Sequence, residues 1–332
     1  MSRTVTIGIP VFNVEGYIRD SLLSVLNQTY EDIDILIVDD KGQDNSMIIV
    51  RELKACHPRG GAIRIIEHER NEGIAATRNT IIDEAQGCYL FFLDSDDMMS
   101  PDCIALHVYY LEKYQCDFTC GSSEYVFQNG DKVVFRRYSE IEVVSGEKFC
   151  VAKRACSNDK AIQVPVWNRL YRMDFLISNG IRCVPGLVHE DVWFTWLLIL
   201  SARSCVLMPT VTYRYYERNA SICNNPDPKA VTKRHHDRRQ VLQMIAYSVK
   251  THTGLSRIIR QQLAIRTIRK ALTYSKAVVR EQMLSSADKK ELAHQYTSCC
   301  LSLSACWSMD FSKNLEMLGC LTRLVLFALS IK

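Results

Sequence analysis

Apolar runs and helical repeats alternate along the first hundred residues. Val5 to Val11 is a continuous apolar stretch, read as a buried strand. From Glu15 onward, Ile18, Leu22, Val25 and Leu26 recur at helical spacing, with Asn13 as a candidate N-cap. Ile33 to Val38 is a second strand. Asp44 or Asn45 suits the cap of a helix through Ile48, Ile49 and Leu53, which Pro58 ends. Ile63 to Ile66 is a third strand, Gly73 to about Gln86 a helix stopped by Gly87, and Tyr89 to Leu93 a fourth strand. Hydrophobicity that is continuous rather than alternating predicts strands covered on both faces. The fold class is therefore α/β, with a mostly parallel central sheet. Ligands of such sheets bind beyond the carboxyl ends of the strands. The polar residues gather there: Asn13 and Glu15, then Asp39 and Asp40, then Asp94, Asp96 and Asp97.

The pattern changes further on. Pro101 to Tyr114 reads as a helix, and Asp117 to Tyr138 as two strands around an Asn129-Gly130 turn. The stretch to Cys223 is mixed, with a helical pattern from Asp191 to Ser201. Asn224-Asn225-Pro226-Asp227-Pro228 is the clearest breaker, and an α-helical C-terminal region is expected beyond it. Three regions follow: residues 1–100 and 101–223 as the halves of one catalytic domain, and 224–332 as a basic helical region.

Composition adds charge asymmetry. Apolar residues make up 47% and charged residues 23% of the 332, which excludes a disordered chain and a polytopic membrane protein. The net charge of +4 is unevenly placed. Lys229 to Lys290 carries fifteen lysines and arginines against three acids, a net +12, so the remainder carries −8. The first apolar stretch is too short for a secretory signal. With fourteen cysteines lacking zinc-ribbon spacing, a reducing, cytoplasmic setting is expected, with most thiols as small core residues.

Leu93-Asp94-Ser95-Asp96-Asp97 sets three carboxylates at the exit of a buried strand. Their mutual repulsion is relieved by a divalent cation such as Mg²⁺ or Mn²⁺ bound together with substrate phosphates. A solvated turn capping the next helix is the plainer alternative. Asp39-Asp40 ends a second strand in the same way. Arg78, more than a turn into the helix that Gly73 opens, suits planar contact with phosphate or a base, or else a surface ion pair.

Ile9-Pro10-Val11-Phe12-Asn13, Asn27-Gln28-Thr29, Val38-Asp39-Asp40, Asn71-Glu72-Gly73 with Arg78-Asn79, and Asp94-Ser95-Asp96-Asp97 with Pro101 occur in that order. Together they resemble the nucleotide-sugar half of family 2 glycosyltransferases, inverting enzymes of the A-type fold, of the bacterial polysaccharide-biosynthesis kind. The resemblance covers roughly residues 3 to 223, firmly over the first hundred. It implies that Pro10, Val11, Phe12 and Glu15 line a nucleoside pocket. It implies that Asp40 contacts the base with Asp39 nearby, and that Arg78 lies against the nucleotide. Asp94 would approach the ribose, Ser95 would belong to the same nucleotide-sugar-binding turn, Asp97 would border the donor sugar, and Asp96 would bind the Mn²⁺ or Mg²⁺. Uridine diphosphate is the usual carrier in such enzymes.

Val188-His189-Glu190-Asp191 resembles the family's Glu-Asp motif, which implies Asp191 as general base with Glu190 beside it; an acidic helix cap is the plainer reading. Trp167 and Asn168, in Trp167-Asn168-Arg169-Leu170-Tyr171, resemble an acceptor-side segment in which Arg169 replaces a lysine. Trp167 suits a sugar platform and ordinary core equally. Tyr213 to Ile222 resembles a loop that closes over the diphosphate. Tyr216 stands there at the usual arginine position, so only Arg218 is carried over. His189 is a candidate for a metal or phosphate contact, or a structural histidine.

The implied reaction is an in-line displacement by a hydroxyl of a glycan or lipid-linked glycan acceptor. Leu315 to Ile331 is apolar but short for a bilayer and contains Arg323, so an interfacial or protein-packed helix is expected rather than a spanning one. Beside the basic stretch it suits peripheral contact with an anionic membrane at the inner face of the cell membrane. A buttress on the catalytic domain is the other reading. A nucleotidyltransferase of related fold would need a Gly-rich phosphate loop after the first strand, which is absent. No nucleic-acid partner is expected, because the basic tail has few interleaved aromatics.

Overall fold

The computed structural model describes residues 3–157, 162–218, 226–282, 284–301, 303 and 311–330, with backbone only at 135, 136, 311–316 and 328–330. The order is β1 (Val5–Val11), α1 (Ile18–Leu26), β2 (Ile33–Asp39), α2 (Ser46–Cys56), a 3₁₀ turn (Gly60–Ala62), β3 (Ile63–Glu67), α3 (Ile74–Glu84), β4 (Tyr89–Phe92), β5 (Met98–Met99) and α4 (Cys103–Tyr114). Then come β6 (Phe118–Val126), β7 (Lys132–Arg136), β8 (Glu142–Ser145), α5 (Cys150–Ala155), β9 (Arg169–Arg172), α6 (Met173–Ser178), α7 (Glu190–Ser201) and β10 (Ser204–Tyr216). Four helices end the chain: α8 (Pro228–Thr251), α9 (Arg257–Arg280), α10 (Ser286–Leu301) and α11 (Phe311–Ser330).

These elements form two compact units. The first comprises Met1–Val151, Asp159–Gly186 and Leu197–Arg218; the second comprises Ala152–Asn158, Leu187–Trp196 and Asn219–Lys332. Strands from both expected halves, 1–100 and 101–223, share one sheet in the first unit. The segment with Glu190 and Asp191 belongs instead with the C-terminal helices.

The first unit is built on a ten-stranded sheet in the order β3-β2-β1-β4-β9-β6-β10-β5, with β7 beside β6 and β8 beside β10. β1 to β4 are parallel, as their uninterrupted burial requires. Helix α1 covers them with Ile18, Leu22, Val25 and Leu26. Gly8 lets α3 approach β1, since a Cβ there would lie 2.2 Å from the Ile81 side chain. Antiparallel β9 wedges between β4 and β6 and continues the sheet. Its Arg169 is fully buried, with its guanidinium 5.9 Å from the Phe118 ring and hydrogen-bonded to the Gln163 carbonyl, so it serves the core. Eight of the twelve described cysteines are buried, as expected of small core residues.

In the second unit α9 packs on α8, α10 and α11. The breaker before α8 acts as a start signal: Asp227 Oδ1 accepts from Lys229 N at 3.0 Å and Pro228 fills the first turn. Part of the basic charge is structural. Arg260 donates to the carbonyls of Val249, Lys250 and His252 and closes the C-terminus of α8. Helix α11 buries Met317, Cys320, Leu321 and Leu324, while Leu318 and Leu326 stay exposed, so its described side chains are divided between a face packed against protein and an open one. Among the described residues, no helix is long and apolar enough to cross a membrane.

Candidate active site

The carboxyl ends of β1, β2 and β4 bring the expected residues into one region of the first unit. Pro10 and Val11 end β1, buried, and Phe12 emerges from it 42% exposed. Asn13 does not cap α1, which begins at Ile18. With φ +50°, its Oδ1 accepts from Gln43 N at 2.7 Å instead. Glu15 is exposed; its Oε2 accepts from Asn45 N at 2.9 Å and its own N–H donates to Asp44 at 2.8 Å, tying the loop after β1 to the start of α2. Val11 and Asp39 line a cavity of about 260 Å³ with Lys41, Gly42, Asp44, Met47, Arg51 and Glu67 among the other walls.

Asp40 is placed differently from its expected role at the base. It is 3% exposed and turned to the protein. Its Oδ1 accepts from Glu72 N and meets His68 Nδ1, both at 2.8 Å, and its Oδ2 accepts from Gly73 N at 2.9 Å. Asp40 therefore clamps the loop that opens α3, where Gly73 has φ +86°. His68, which the sequence did not single out, completes the clamp by bonding Thr80 Oγ1 at 3.0 Å.

The acidic turn after β4 divides its carboxylates among separate partners. Asp94 Oδ1 pairs with Arg78 at 2.6 Å, and Arg78 is nearly buried on α3. Ser95 is buried. Asp96 Oδ2 pairs with Arg218 Nε at 2.5 Å. Burial pushes the Asp96 carboxyl up to about 6; Arg218 opposes that shift and Asp94 adds to it. Asp97, expected at the donor sugar, faces inward with no exposed surface. It accepts from Tyr213 Oη at 2.7 Å and Tyr216 N at 2.9 Å. Burial, with Asp96 and Asp94 nearby, holds its carboxyl well above the usual range.

Tyr213, expected as the start of a loop, lies within β10, and its role at the acidic turn is what local sequence reading missed. Its Oη also accepts from Asp94 N at 3.3 Å, so one phenol joins both ends of the turn. The register of β10 on β5, with Tyr213 opposite Met99, brings it there. Trp167 stacks on the Tyr213 ring at 4.4 Å and 7° and is 5% exposed. Asn168 has no exposed surface; its amide donates to the Gly121 and Ser122 carbonyls and accepts from Thr212. The structure thus places both expected acceptor-side residues in the core, where they support the acidic turn and β6.

Among the described residues, no group of three or more His, Cys, Asp or Glu gathers as a metal site. Within the acidic turn, three carboxylates meet two guanidiniums, and Asp96, raised chiefly by burial with Asp94 adding to it, keeps part of its surface accessible. That chemistry fits a divalent cation at Asp96.

In the second unit, Glu190 and Asp191 open α7, Glu190 buried and Asp191 partly exposed. Asp191 Oδ1 is buried without a hydrogen-bond partner among the described residues. His189 has φ +74°, and its Nε2 accepts from Arg238 Nε at 3.0 Å, which makes it a neutral ring with its proton on Nδ1. Burial pushes His189 down to about 4, helped by Arg238 and opposed by Asp191. Asn219, Ser221 and Ile222 lie outside the described residues.

The family model for glycosyl transferase family 2 matches residues 6–176, half of the chain, and takes in the acidic strand ends. The chain belongs to glycosyltransferase family 2. This membership sets aside the nucleotidyltransferase reading. The glycosyltransferase GlyA of Streptococcus pneumoniae serotype 4 is 24% identical over 86% of the chain, which spans 42% of GlyA. The putative glycosyltransferase EpsH of Bacillus subtilis is 40% identical over 66% of the chain and 62% of EpsH. Among solved structures, S. aureus TarS 1–349 in complex with UDP-GlcNAc superposes with a TM-score of 0.75, over 98% of this chain and 91% of that one, at 16% identity. That likeness establishes the fold: a glycosyltransferase A sheet followed by a helical C-terminal region.

Proposed function

We propose that this glycosyltransferase moves a hexose or N-acetylhexosamine from a UDP-sugar to a hydroxyl of a glycan or lipid-linked glycan, with inversion. The observation that carries the reading is the double pairing at the end of β4, Arg78 with Asp94 and Arg218 with Asp96. Two guanidiniums are cations of the kind a diphosphate binds, and two carboxylates are acceptors of the kind a ribose and a divalent ion use, which supports the reading. UDP as the carrier is supported by the UDP-GlcNAc complex of TarS, which shares the fold.

In this reading the cavity beside Val11 and Asp39, with Pro10 and the exposed Phe12, receives the base, and Asp39 contacts it. Arg78 and Arg218 exchange their carboxylate partners for phosphate oxygens when the donor enters. Asp94 turns to the ribose. Asp96 holds the Mn²⁺ or Mg²⁺, which when bound neutralises charge on the departing diphosphate. Asp191 takes the proton of the attacking hydroxyl, and no covalent intermediate is needed. A place in polysaccharide biosynthesis at the cytoplasmic face of a membrane fits this chemistry.

Screening UDP-sugars for metal-dependent UDP release, with and without candidate acceptors, tests the reaction. Asp191→Asn tests the base: it keeps size and hydrogen bonding but cannot accept the proton. Donor affinity by calorimetry is expected near wild type while turnover falls about 10²-fold or more. Near-normal turnover would move the role elsewhere, with Glu190 next.

A further inference from the structure

The helices of the second unit bring three cations, Arg234, Arg238 and Lys270, to the surroundings of His189 and Asp191. Arg238 of α8 lies with its guanidinium 5.2 Å from the centre of the Tyr274 ring, and Lys270 of α9 has its ammonium 5.4 Å from the same ring. Tyr274 is buried, whereas Arg238 and Lys270 are each partly exposed. Two cations on one aromatic ring repel one another, and the ring face returns a modest attraction to each. Arg238 spends its Nε on His189. No carboxylate pairs with Arg238 among the described residues, and its two Nη groups make no hydrogen bond there. Arg234, 4% exposed, adds a third cation from the next turn of α8.

His189 registers these cations. Burial lowers its affinity for a proton most, the cations Arg238, Lys270 and Arg234 add to that, and Asp191 opposes it. Cations therefore act on the same ring as the carboxylate proposed as base. A neutral sugar makes no use of such a field. A phosphate does, because a guanidinium edge and an ammonium are the side chains that bind it best.

We propose that Arg238 and Lys270, backed by Tyr274, seat a phosphate group of the acceptor beside Asp191. The acceptor class is then a hydroxyl compound that carries phosphate, either a glycan on a lipid diphosphate or a polyol phosphate. This rests on Asp191 as the acceptor-side base. His189 is a positioning residue here: as a neutral acceptor it orients Arg238 and leaves the Nη edge for the ligand.

Calorimetry on the full chain, with UDP and Mn²⁺ saturating so that donor-side phosphate binding is blocked, tests the proposal. The probes are glycerol 1-phosphate for a polyol phosphate, farnesyl diphosphate below its micellar concentration for a lipid diphosphate, and glycerol as the uncharged control. Saturable binding of either phosphate but not glycerol is expected, and which of the two binds identifies the source. Arg238→Gln with Lys270→Gln is expected to weaken that binding tenfold or more while UDP affinity stays unchanged. Lys270→Gln alone, at a partly exposed position, is expected to weaken it severalfold and guards against a double variant that does not fold. Binding of neither phosphate, or equal binding by wild type and variants, overturns the proposal. Failure of the wild-type chain to bind UDP would overturn the donor reading and leave the phosphate result to be judged by itself.

Discussion

Removing one oxygen from Tyr213 isolates what holds the acidic turn in place. Tyr213→Phe keeps the ring, and with it the Trp167 stack at 4.4 Å. It deletes the 2.7 Å bond to Asp97 and the 3.3 Å bond from Asp94 N. Asp97 retains Tyr216 N as a donor, but its Oδ2 is left in a fully buried place. A hydrogen bond to a charged group contributes about 1.5–3 kcal/mol, and leaving a buried acceptor unsatisfied costs a similar amount. The bond from Asp94 N is long and adds little. The expected loss is therefore about 1.5–3 kcal/mol, at the lower end if Asp97 is protonated, as its raised carboxyl favours. Global unfolding of a chain with two units need not be two-state. Hydrogen exchange of amides 93–99 is the direct assay, and those amides should exchange roughly 10- to 150-fold faster, at about 1.4 kcal/mol per tenfold. Activity should fall with it, since Asp94 and Asp96 share the turn. Unchanged exchange there would mean that Tyr213 does not hold the turn, and the account of Asp97 as its anchor would fail.

Asp96→Ala should abolish metal-dependent turnover and weaken donor binding in Mn²⁺; full activity of the wild type in excess chelator would remove the metal from the reading. Acid should loosen the second unit from about pH 6.5 downward. His189 and His235 are both pushed down to about 4 by burial, so the unfolded chain takes up protons that the folded one refuses until pH 4. Protection of α8 and α9, measured by exchange corrected for intrinsic rate, should fall by up to about tenfold per pH unit per histidine, and a flat profile between pH 7 and 5 would contradict it. If α11 touches an anionic membrane, Leu318→Glu with Leu326→Glu should remove the salt-resistant part of liposome binding and leave the salt-labile part. Indifference of the full-length chain to anionic liposomes at low salt would make the helix a structural one.

The sheet was legible because burial on both faces writes unbroken apolar runs, and the runs at Val5, Ile33, Ile63 and Tyr89 became β1 to β4 nearly to the residue. The acidic strand ends were legible for the same reason, since charge stands out against such runs. Roles within them were not. Tyr213 comes from β10, more than a hundred residues after the turn it holds, and no local pattern announces that register. Trp167 and Asn168 look like ligand-binding residues by type, but β9 enters the sheet interior and takes both inward. Arg260 reads as surface charge in a basic stretch, and only the end of α8 shows that it closes a helix. Side-chain type fixes what a residue is able to bond, while the partner is set by tertiary position.

The acidic doublets show why neighbouring carboxylates with the same motif do different work. At the end of β2, successive side chains of extended chain point to opposite sides, and after β4 a turn closed by Asp97 N on the Asp94 carbonyl separates Asp96 from Asp97; in both places one of two adjacent acids turns to the protein and the other to the open side. Asp40 turns inward and binds two backbone N–H groups and His68, while Asp39 lines the cavity. Asp97 turns inward onto Tyr213 and Tyr216 N, while Asp96 stays partly accessible and meets Arg218. A buried acid is tolerated where backbone donors reach it, and those donors belong to the loops that frame the site. The inward member thus fixes the loop, and the fixed loop sets where its neighbour's oxygens stand. Replacing either member harms the site by a different route: the outward one removes a ligand atom, and the inward one lets a whole turn relax.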